Sequence, residues 1–223
     1  MKVIINGIFG KMGSFLYEYL KSIENIEVVG GIDRTNKTFE VPIYNHISEC
    51  LLDSEFDVLV DFTIYPSCLD TILFAINNEI NVVSGTTGYK EADVQIIEEA
   101  ARKNKVGVFI SPNFSKGTKY TVEMLKKLKD EFKSHEIIEE HSTHKKDKPS
   151  GTAKYLARVL DMEIDQVHSI RLPNILANHQ ILFADEFETI SISHTIHSRD
   201  AFLGGIEEAI RLVYNENFVK VNI

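Results

Sequence analysis

Short apolar runs and amphipathic stretches alternate along the first half of the chain, and their order predicts strand, helix, strand, helix. Residues 2–6 are a β-branched run. Beyond a glycine-rich turn, Met12, Phe15, Leu16, Tyr19 and Leu20 recur at helical spacing. Residues 26–32 read as a second strand, and 57–62 as a continuous apolar strand of the kind buried on both faces in a parallel sheet. A helix is predicted over 67–77, a strand over 81–84, a helix over 92–103, and a fifth strand over 106–110. Beyond Phe114 the texture changes. A helix over 117–132 and an extended run at 136–139 precede a polar stretch, and a further helix opens after Ser150. Residues 166–172, 179–183 and 189–196 are extended, and the last of these alternates small or polar residues with isoleucine. Phe202, Leu203, Ile206, Ala209, Ile210 and Val213 make a final amphipathic helix, expected to return to the first part of the chain.

The first turn adds chemistry to this pattern. Gly7-Ile8-Phe9-Gly10-Lys11-Met12-Gly13 lies between a strand and a helix, which is the opening of a dinucleotide-binding βαβ unit. Its glycines fall at positions one, four and seven rather than one, three and six. The second predicted strand ends in Asp33, twenty residues past Gly13, placed to accept the ribose hydroxyls of NAD. Arg34 follows, with a guanidinium able to pair with the extra phosphate of NADP. In an open parallel sheet ligands lie beyond the carboxyl ends of the strands, so Thr63 and Gly85-Thr86-Thr87-Gly88 should face the same cleft as the glycine turn. The chain therefore reads as α/β: a Rossmann-like dinucleotide-binding domain over 1–112, completed by 199–223, and a smaller α+β domain with an open mixed sheet over 113–198.

The polar stretch from His141 to Ala153 is the second chemical feature. It holds His141, His144, Lys145, Lys146, Asp147 and Lys148, then turns through Pro149-Ser150-Gly151-Thr152 into a helix. Ser150 sits at the N-cap position, and Gly151 and Thr152 offer backbone N–H groups in the first turn, which favours a bound anion. A proton donor, a cation and an anion seat are thus close together, as a small carboxylate substrate requires. A solvated basic loop with ordinary capping is the plainer alternative. With no cysteine nearby and no third clustered histidine, no metal site is expected.

At 223 residues the chain can hold one large or two small domains. A formal charge of −9 argues against a general nucleic-acid binder, and against it the cations around Lys145 would stand out to an anionic ligand. No apolar run reaches the length of a membrane span, and the chain enters its first strand without a signal peptide. Cys50 and Cys68 form no Cys-x-x-Cys motif and no disulfide framework, so both are expected as core filler in a cytoplasmic protein.

Taken together, these motifs resemble those of the dihydrodipicolinate reductase family over nearly the whole length. Gly7-x-x-Gly10-Lys11-Met12-Gly13 resembles the family's opening turn, with Lys for the usual Arg. Residues 57–63 resemble its Asp-Val-Val-Ile-Asp-Phe-Thr strand, Gly85-Thr86-Thr87-Gly88 its Gly-Thr-Thr-Gly, and Asn113-Phe114-Ser115 its Asn-Phe-Ser hinge. Lys145-x-Asp147-x-Pro149-Ser150-Gly151-Thr152-Ala153 is similar to its signature and is the most specific of the matches, while Ser198-Arg199-x-x-Phe202 resembles the closing motif. Departures are plain: Ser142 replaces the second of two adjacent histidines, Lys148 and Lys116 are unusual, 173–177 lack glycines, and the chain is shorter between Asp33 and Asp57.

The resemblance implies NADH- or NADPH-dependent reduction of a cyclic, unsaturated dicarboxylate in lysine and diaminopimelate biosynthesis, by a cytoplasmic homotetramer. It implies Lys145 as proton donor to the ring nitrogen and His141 as a second acid or polariser, with Ser142, Ser150, Gly151 and Thr152 holding substrate. Gly7, Gly10, Lys11, Met12, Gly13, Asp33, Arg34, Phe62, Thr63, Gly85, Thr86, Thr87, Asn113 and Phe114 are the implied cofactor contacts. Two other readings stay open: another two-domain nicotinamide dehydrogenase, or a non-catalytic NAD(H)-sensing regulatory protein.

Overall fold

The computed structural model describes residues 1–35 and 37–222. Asn36 and Ile223, both within the expected first domain, lie outside the described residues. Contacts divide the chain into two units, Met1–Pro112 with Leu203–Ile223, and Asn113–Phe202.

The first unit is built on strands β1 (Lys2–Asn6), β2 (Glu27–Ile32), β3 (Ile43–Tyr44), β4 (Val58–Asp61), β5 (Asn81–Ser84), β6 (Val108–Ile110) and β11 (Val219–Val221). They form one sheet in the order β11-β6-β5-β4-β1-β2-β3, with parallel pairing throughout. Helices α1 (Lys11–Leu20), α2 (Ile47–Asp53), α3 (Ser67–Asn77), α4 (Glu91–Asn104) and most of α7 (Asp200–Asn215) belong to this unit. Strand β4 is buried along its whole length, which is why its sequence reads as an unbroken apolar run rather than an alternating one. Ile4, Leu59, Val82 and Ile97 are among the core residues with no exposure at all.

The order of strands reverses between β1 and β4, so the connections that leave their carboxyl ends run in opposite directions and open the crevice where such sheets take ligands. Cys50 and Cys68 are both buried in this core, and burial pushes their thiols up to about 12 and about 11. Such thiols are inert filler rather than nucleophiles.

Strands β7 (Ser134–Ser142), β8 (Val167–Leu172), β9 (Ala177–Ala184) and β10 (Thr189–Ile196) make the sheet of the second unit, in the order β10-β9-β7-β8. Its β7–β8 pair is parallel and its other two pairs antiparallel, so the sheet is mixed. Helices α5 (Lys116–Leu128) and α6 (Gly151–Val159) share an apolar core with one face of the sheet through Leu125, Leu156, Ile137, Ile181 and Phe183.

Several expectations are corrected. The strand expected at 136–139 runs on to Ser142, so His141 and Ser142 are strand residues and not part of a loop. The fifth strand begins at Val108, because Lys105 turns left-handed (φ 56°) at the end of α4 and Val106 N–H caps the carbonyl of Ala101. In α1 the core side is taken by Tyr17, packed on Phe39 at 4.7 Å, while Phe15 is 42% exposed. Strands β3 and β11 and helix α2 were not foreseen.

Candidate active site

The carboxyl edge of the seven-stranded sheet carries the glycine turn. Gly7 leaves β1 at φ +81°, a backbone setting that disfavours any side chain, and its N–H is held by the carbonyl of Ile32 at 2.8 Å. Gly10 closes the turn by donating to Gly7 O at 2.9 Å and caps α1 without any side-chain cap. The first amides of α1, on Lys11, Met12 and Gly13, are therefore left for an anion. A Cβ on Gly13 would come within 2.8 Å of backbone atoms of Gly7 and Ile8, so only glycine lets helix and turn pack this closely. Gly85 is needed for a different reason: the ring of Phe62 occupies the space its Cβ would take.

Asp33 and Arg34 line a cavity of about 410 Å³ with Asn6, Gly7, Phe62 and Thr63, at the switch point between β1 and β4. Asp33 accepts the N–H of Thr35 at 3.0 Å and that of Phe9 at 3.3 Å, which holds its carboxylate at the end of β2. Asn45 and His46, from the segment that sequence reading left unassigned, close the same cavity.

Behind these loops lies Asp61, fully buried. It accepts four side-chain hydrogen bonds, from Asn6 at 2.8 Å, Thr63 at 2.6 Å, Ser84 at 2.9 Å and Thr86 at 2.6 Å. One carboxylate thereby joins the ends of β1, β4 and β5. The hydroxyl protons of Thr63 and Thr86 are both committed to it, so those oxygens can only accept from a ligand. Thr87 is exposed beside them. An uncapped helix terminus, a turn that excludes side chains and a carboxylate at the ribose position fit the pyrophosphate and adenosine half of a nicotinamide dinucleotide.

The second cluster sits at the carboxyl end of β7. In that strand residues 137, 139 and 141 face the core, and Glu139 and His141 break the apolar parity. Glu139 is fully buried. Its Oε2 accepts from His141 Nδ1, and its Oε1 accepts from Arg171 Nη2 at 2.8 Å and from the N–H of Ser150 at 3.3 Å. Burial alone would raise its pKa, but the hydrogen bonds from His141 and Arg171 outweigh that and hold the carboxyl well below the usual carboxylate range. With Nδ1–H given to Glu139, Nε2 is the nitrogen of His141 left for chemistry.

His179, on β9, packs edge-on to His141 with ring centroids 5.3 Å apart, and its Nε2 lies 3.3 Å from Ser150 Oγ. Burial first, and the neighbouring His141 second, push its pKa down to about 3, so it stays neutral. Ser150 caps α6 by accepting from the N–H of Ala153 at 3.1 Å, which leaves the amides of Gly151 and Thr152 for a carboxylate.

Lys145 lies in the loop that follows β7, a third exposed, with its ammonium 2.9 Å from Asp147. Ser142 falls on the opposite face of β7 from His141, and it shapes the loop's first turn. Its hydroxyl accepts from His144 N at 3.3 Å and its carbonyl from Lys145 N at 2.9 Å. Asn113 and Phe114 belong to this second unit, where Asn113 donates to Thr152 Oγ1 at 3.2 Å and Phe114 is buried.

The structure thus brings His141, Ser150, Gly151 and Thr152 together in one unit, and Gly7, Gly10, Gly13, Asp33, Phe62, Thr63, Gly85 and Thr86 together in the other. Sequence reading missed Asp61, Glu139, Arg171 and His179. For Glu139 a signal was present, since it places a charge at the inward parity of an apolar strand.

Comparison with known proteins agrees along the whole chain. Residues 1–114 match the model for the N-terminus of dihydrodipicolinate reductase, and residues 116–222 match the model for its C-terminus. A 4-hydroxy-tetrahydrodipicolinate reductase of Methanospirillum hungatei is 30% identical over 97% of this chain and 94% of its own length. One from Lactococcus lactis is 30% identical over 100% of this chain and 96% of its own. Among solved structures, dipicolinate-bound dihydrodipicolinate reductase from Paenisporosarcina sp. TG-14 superposes with a TM-score of 0.86 at 26% identity, over 100% of this chain and 97% of that one. With both halves matched and the relatives aligned end to end, the chain belongs to the dihydrodipicolinate reductase family.

Proposed function

We infer that this chain reduces 4-hydroxy-tetrahydrodipicolinate to tetrahydrodipicolinate with NADH or NADPH, in lysine and diaminopimelate biosynthesis. The observation that carries the reading is the cluster at the end of β7. A histidine with one ring nitrogen fixed by a buried carboxylate lies beside a helix N-terminus with open amides and a loop lysine. The family match sets its chemistry.

Residues 1–112 with 199–223 act, in this proposal, as the dinucleotide-binding domain. Gly7, Gly10, Lys11, Met12 and Gly13 receive the pyrophosphate through the turn and the first amides of α1. Asp33 takes the ribose hydroxyls of NADH, and Arg34 pairs with the additional phosphate of NADPH. Phe62, Thr63, Gly85, Thr86 and Thr87 form the remaining wall, and the resemblance adds Asn113 and Phe114. The cofactor, when bound, supplies the hydride.

Residues 113–198 act as the substrate-binding and oligomerisation domain. Ser150, Gly151 and Thr152 hold one carboxylate of the ring at the positive end of α6. Once the 4-hydroxyl has left the ring as water, hydride addition to the resulting conjugated C=C–C=N unit drives negative charge toward the ring nitrogen. Lys145 meets that charge with a proton, which stabilises the transition state more than the ground state. His141, its free nitrogen toward the ring, polarises or protonates as a second acid. Ser142 contributes by shaping the turn that carries Lys145. Dipicolinate, bound by the related structure, is the flat aromatic dicarboxylate such a seat would accept.

The outward face of the four-stranded sheet carries Ile138, Ile170, Leu172 and Leu182, and we assign it to a homotetramer interface. A monomeric mass by light scattering at micromolar concentration would count against that part. Two free, buried cysteines suit a reducing cytoplasm, and the net charge of −9 suits neither nucleic acid nor an anionic membrane surface as partner. Among the described residues no helix is long and apolar enough to cross a membrane.

The test of the function is turnover. Purified protein should oxidise NADH or NADPH when given the freshly formed product of dihydrodipicolinate synthase. Loss of neither cofactor under those conditions overturns the reading in favour of a nucleotide sensor.

A further inference from the structure

We propose that Arg171 is a positioning residue that locks the His141 imidazole and the Lys145 loop into one rigid unit. The proposal rests on His141 and Lys145 being the acid groups of the reaction.

Arg171 stands on β8, directly across from His141 in the parallel β7–β8 register, and its side chain is 8% exposed. Its guanidinium donates in four directions. Nη2 reaches Glu139 Oε1 at 2.8 Å and the carbonyl of Asp147 at 2.6 Å. Nε reaches the carbonyl of Lys145 at 3.3 Å, and Nη1 returns to the carbonyl of Ile170 at 2.7 Å. One edge of a planar group therefore holds the carboxylate that orients His141. The same group holds the peptide carbonyls on either side of Lys146. Only arginine can do this, because its donors form a fixed fork, whereas lysine offers a single point charge.

The loop needs an outside support. Its own bonds are local: Lys145 N to Ser142 O at 2.9 Å, His144 N to Ser142 Oγ at 3.3 Å, and Lys145 Nζ to Asp147 at 2.9 Å. These close its first turn and tie the ammonium to a neighbour within the loop. Arg171 ties the loop carbonyls at 145 and 147 to the neighbouring strand β8. Misplacement of a reacting group by about 1 Å costs on the order of a hundredfold in rate.

Glu139, the carboxylate that orients His141, is fully buried and accepts from both His141 Nδ1 and Arg171 Nη2, so Arg171 shares in keeping it ionised.

Two variants test the clamp, each assayed with NADH and substrate varied in turn. Arg171→Ala should lower kcat about a hundredfold while KM for NADH stays within about twofold, because Arg171 holds Glu139 and the loop carbonyls and none of the proposed cofactor contacts. Guanidinium ion added to that variant should restore part of the rate, and should not restore Lys145→Ala. Arg171→Lys keeps the charge and loses the fork, so kcat should fall about tenfold or more. Should Arg171→Ala fail to fold, Arg171→Lys decides alone. Wild-type turnover in Arg171→Lys means that charge suffices and the clamp is refuted. If Arg171→Ala folds and keeps turnover within about threefold of wild type while His141→Gln and Lys145→Ala lose theirs, this inference fails and the catalytic assignment stands. If His141→Gln and Lys145→Ala themselves keep turnover, it is the catalytic assignment that fails.

Discussion

Replacing Lys145 by alanine removes an ammonium that the structure shows to matter little for folding. The group is 32% exposed and its partner Asp147 is 47% exposed, so the pair is worth about 0–1 kcal/mol to stability. The backbone at 145 stays held after the substitution, because Arg171 binds the Lys145 carbonyl and not its side chain. Catalysis should respond on another scale. Loss of one charge-assisted donor aimed at developing charge costs roughly a hundred- to a thousandfold in kcat, about 2.7–4 kcal/mol of barrier. Thermal unfolding should therefore be nearly unchanged in the variant, KM for NADH should move by less than about twofold, and kcat should collapse. His141→Gln should do similar or smaller damage. His144→Gln should do much less, since His144 is exposed and its backbone N–H, not its ring, bonds to Ser142. Steady-state kinetics with NADH and substrate varied in turn, beside a melting curve for each variant, reads all three. Lys145→Ala with more than half of wild-type turnover would refute the reasoning.

Three further outcomes are expected. Asp33→Ala should weaken NADH by about tenfold, the worth of one charged hydrogen bond, and NADPH by less; equal loss with both cofactors removes Asp33 from the ribose site. Gly13→Ala should raise KM for both cofactors together, because its Cβ would press on the backbone of Gly7 and Ile8; unchanged affinity by NADH fluorescence titration would contradict the tight-turn account. His179 gives a pH signature. Its folded pKa is held down at about 3 by burial against an ordinary value of about 6.5, so between those values the unfolded chain takes up a proton that the folded chain refuses. Stability should then fall as pH drops below about 6.5, by up to about 1.4 kcal/mol per pH unit, and His179→Asn should flatten that slope in urea titrations at pH 7 and 5. Parallel slopes for wild type and variant would count against it.

The regular alternation of the first half was legible because buried parallel strands announce themselves as continuous apolar runs, as at Val58–Asp61, and helices by their period. The N-cap at Ser150 was legible too, since capping is a local rule. Strand β3 was not, because two residues carry no periodicity, and β11 owes its pairing to β6 about 110 residues away. The length of β7 was misread because Glu140, His141 and Ser142 look like loop composition, although His141 faces inward. Arg171 and His179 were out of reach for a related reason. What makes them partners of Glu139 and His141 is strand register across β8, β7 and β9, which no local pattern encodes. Asp61 looked like the polar end of an apolar strand. Its role follows only from an amide on β1, a hydroxyl on β5 and two loop hydroxyls brought to it by the fold.

The central claim is that this chain delivers a hydride from a nicotinamide to a cyclic dicarboxylate. Its most direct test is the fate of a label. NADH carrying deuterium in the transferable position should be consumed in step with the freshly formed product of dihydrodipicolinate synthase, and the reduced ring should be heavier by one mass unit per turnover. Cofactor oxidised without label reaching the ring, or no consumption at all, would contradict the account.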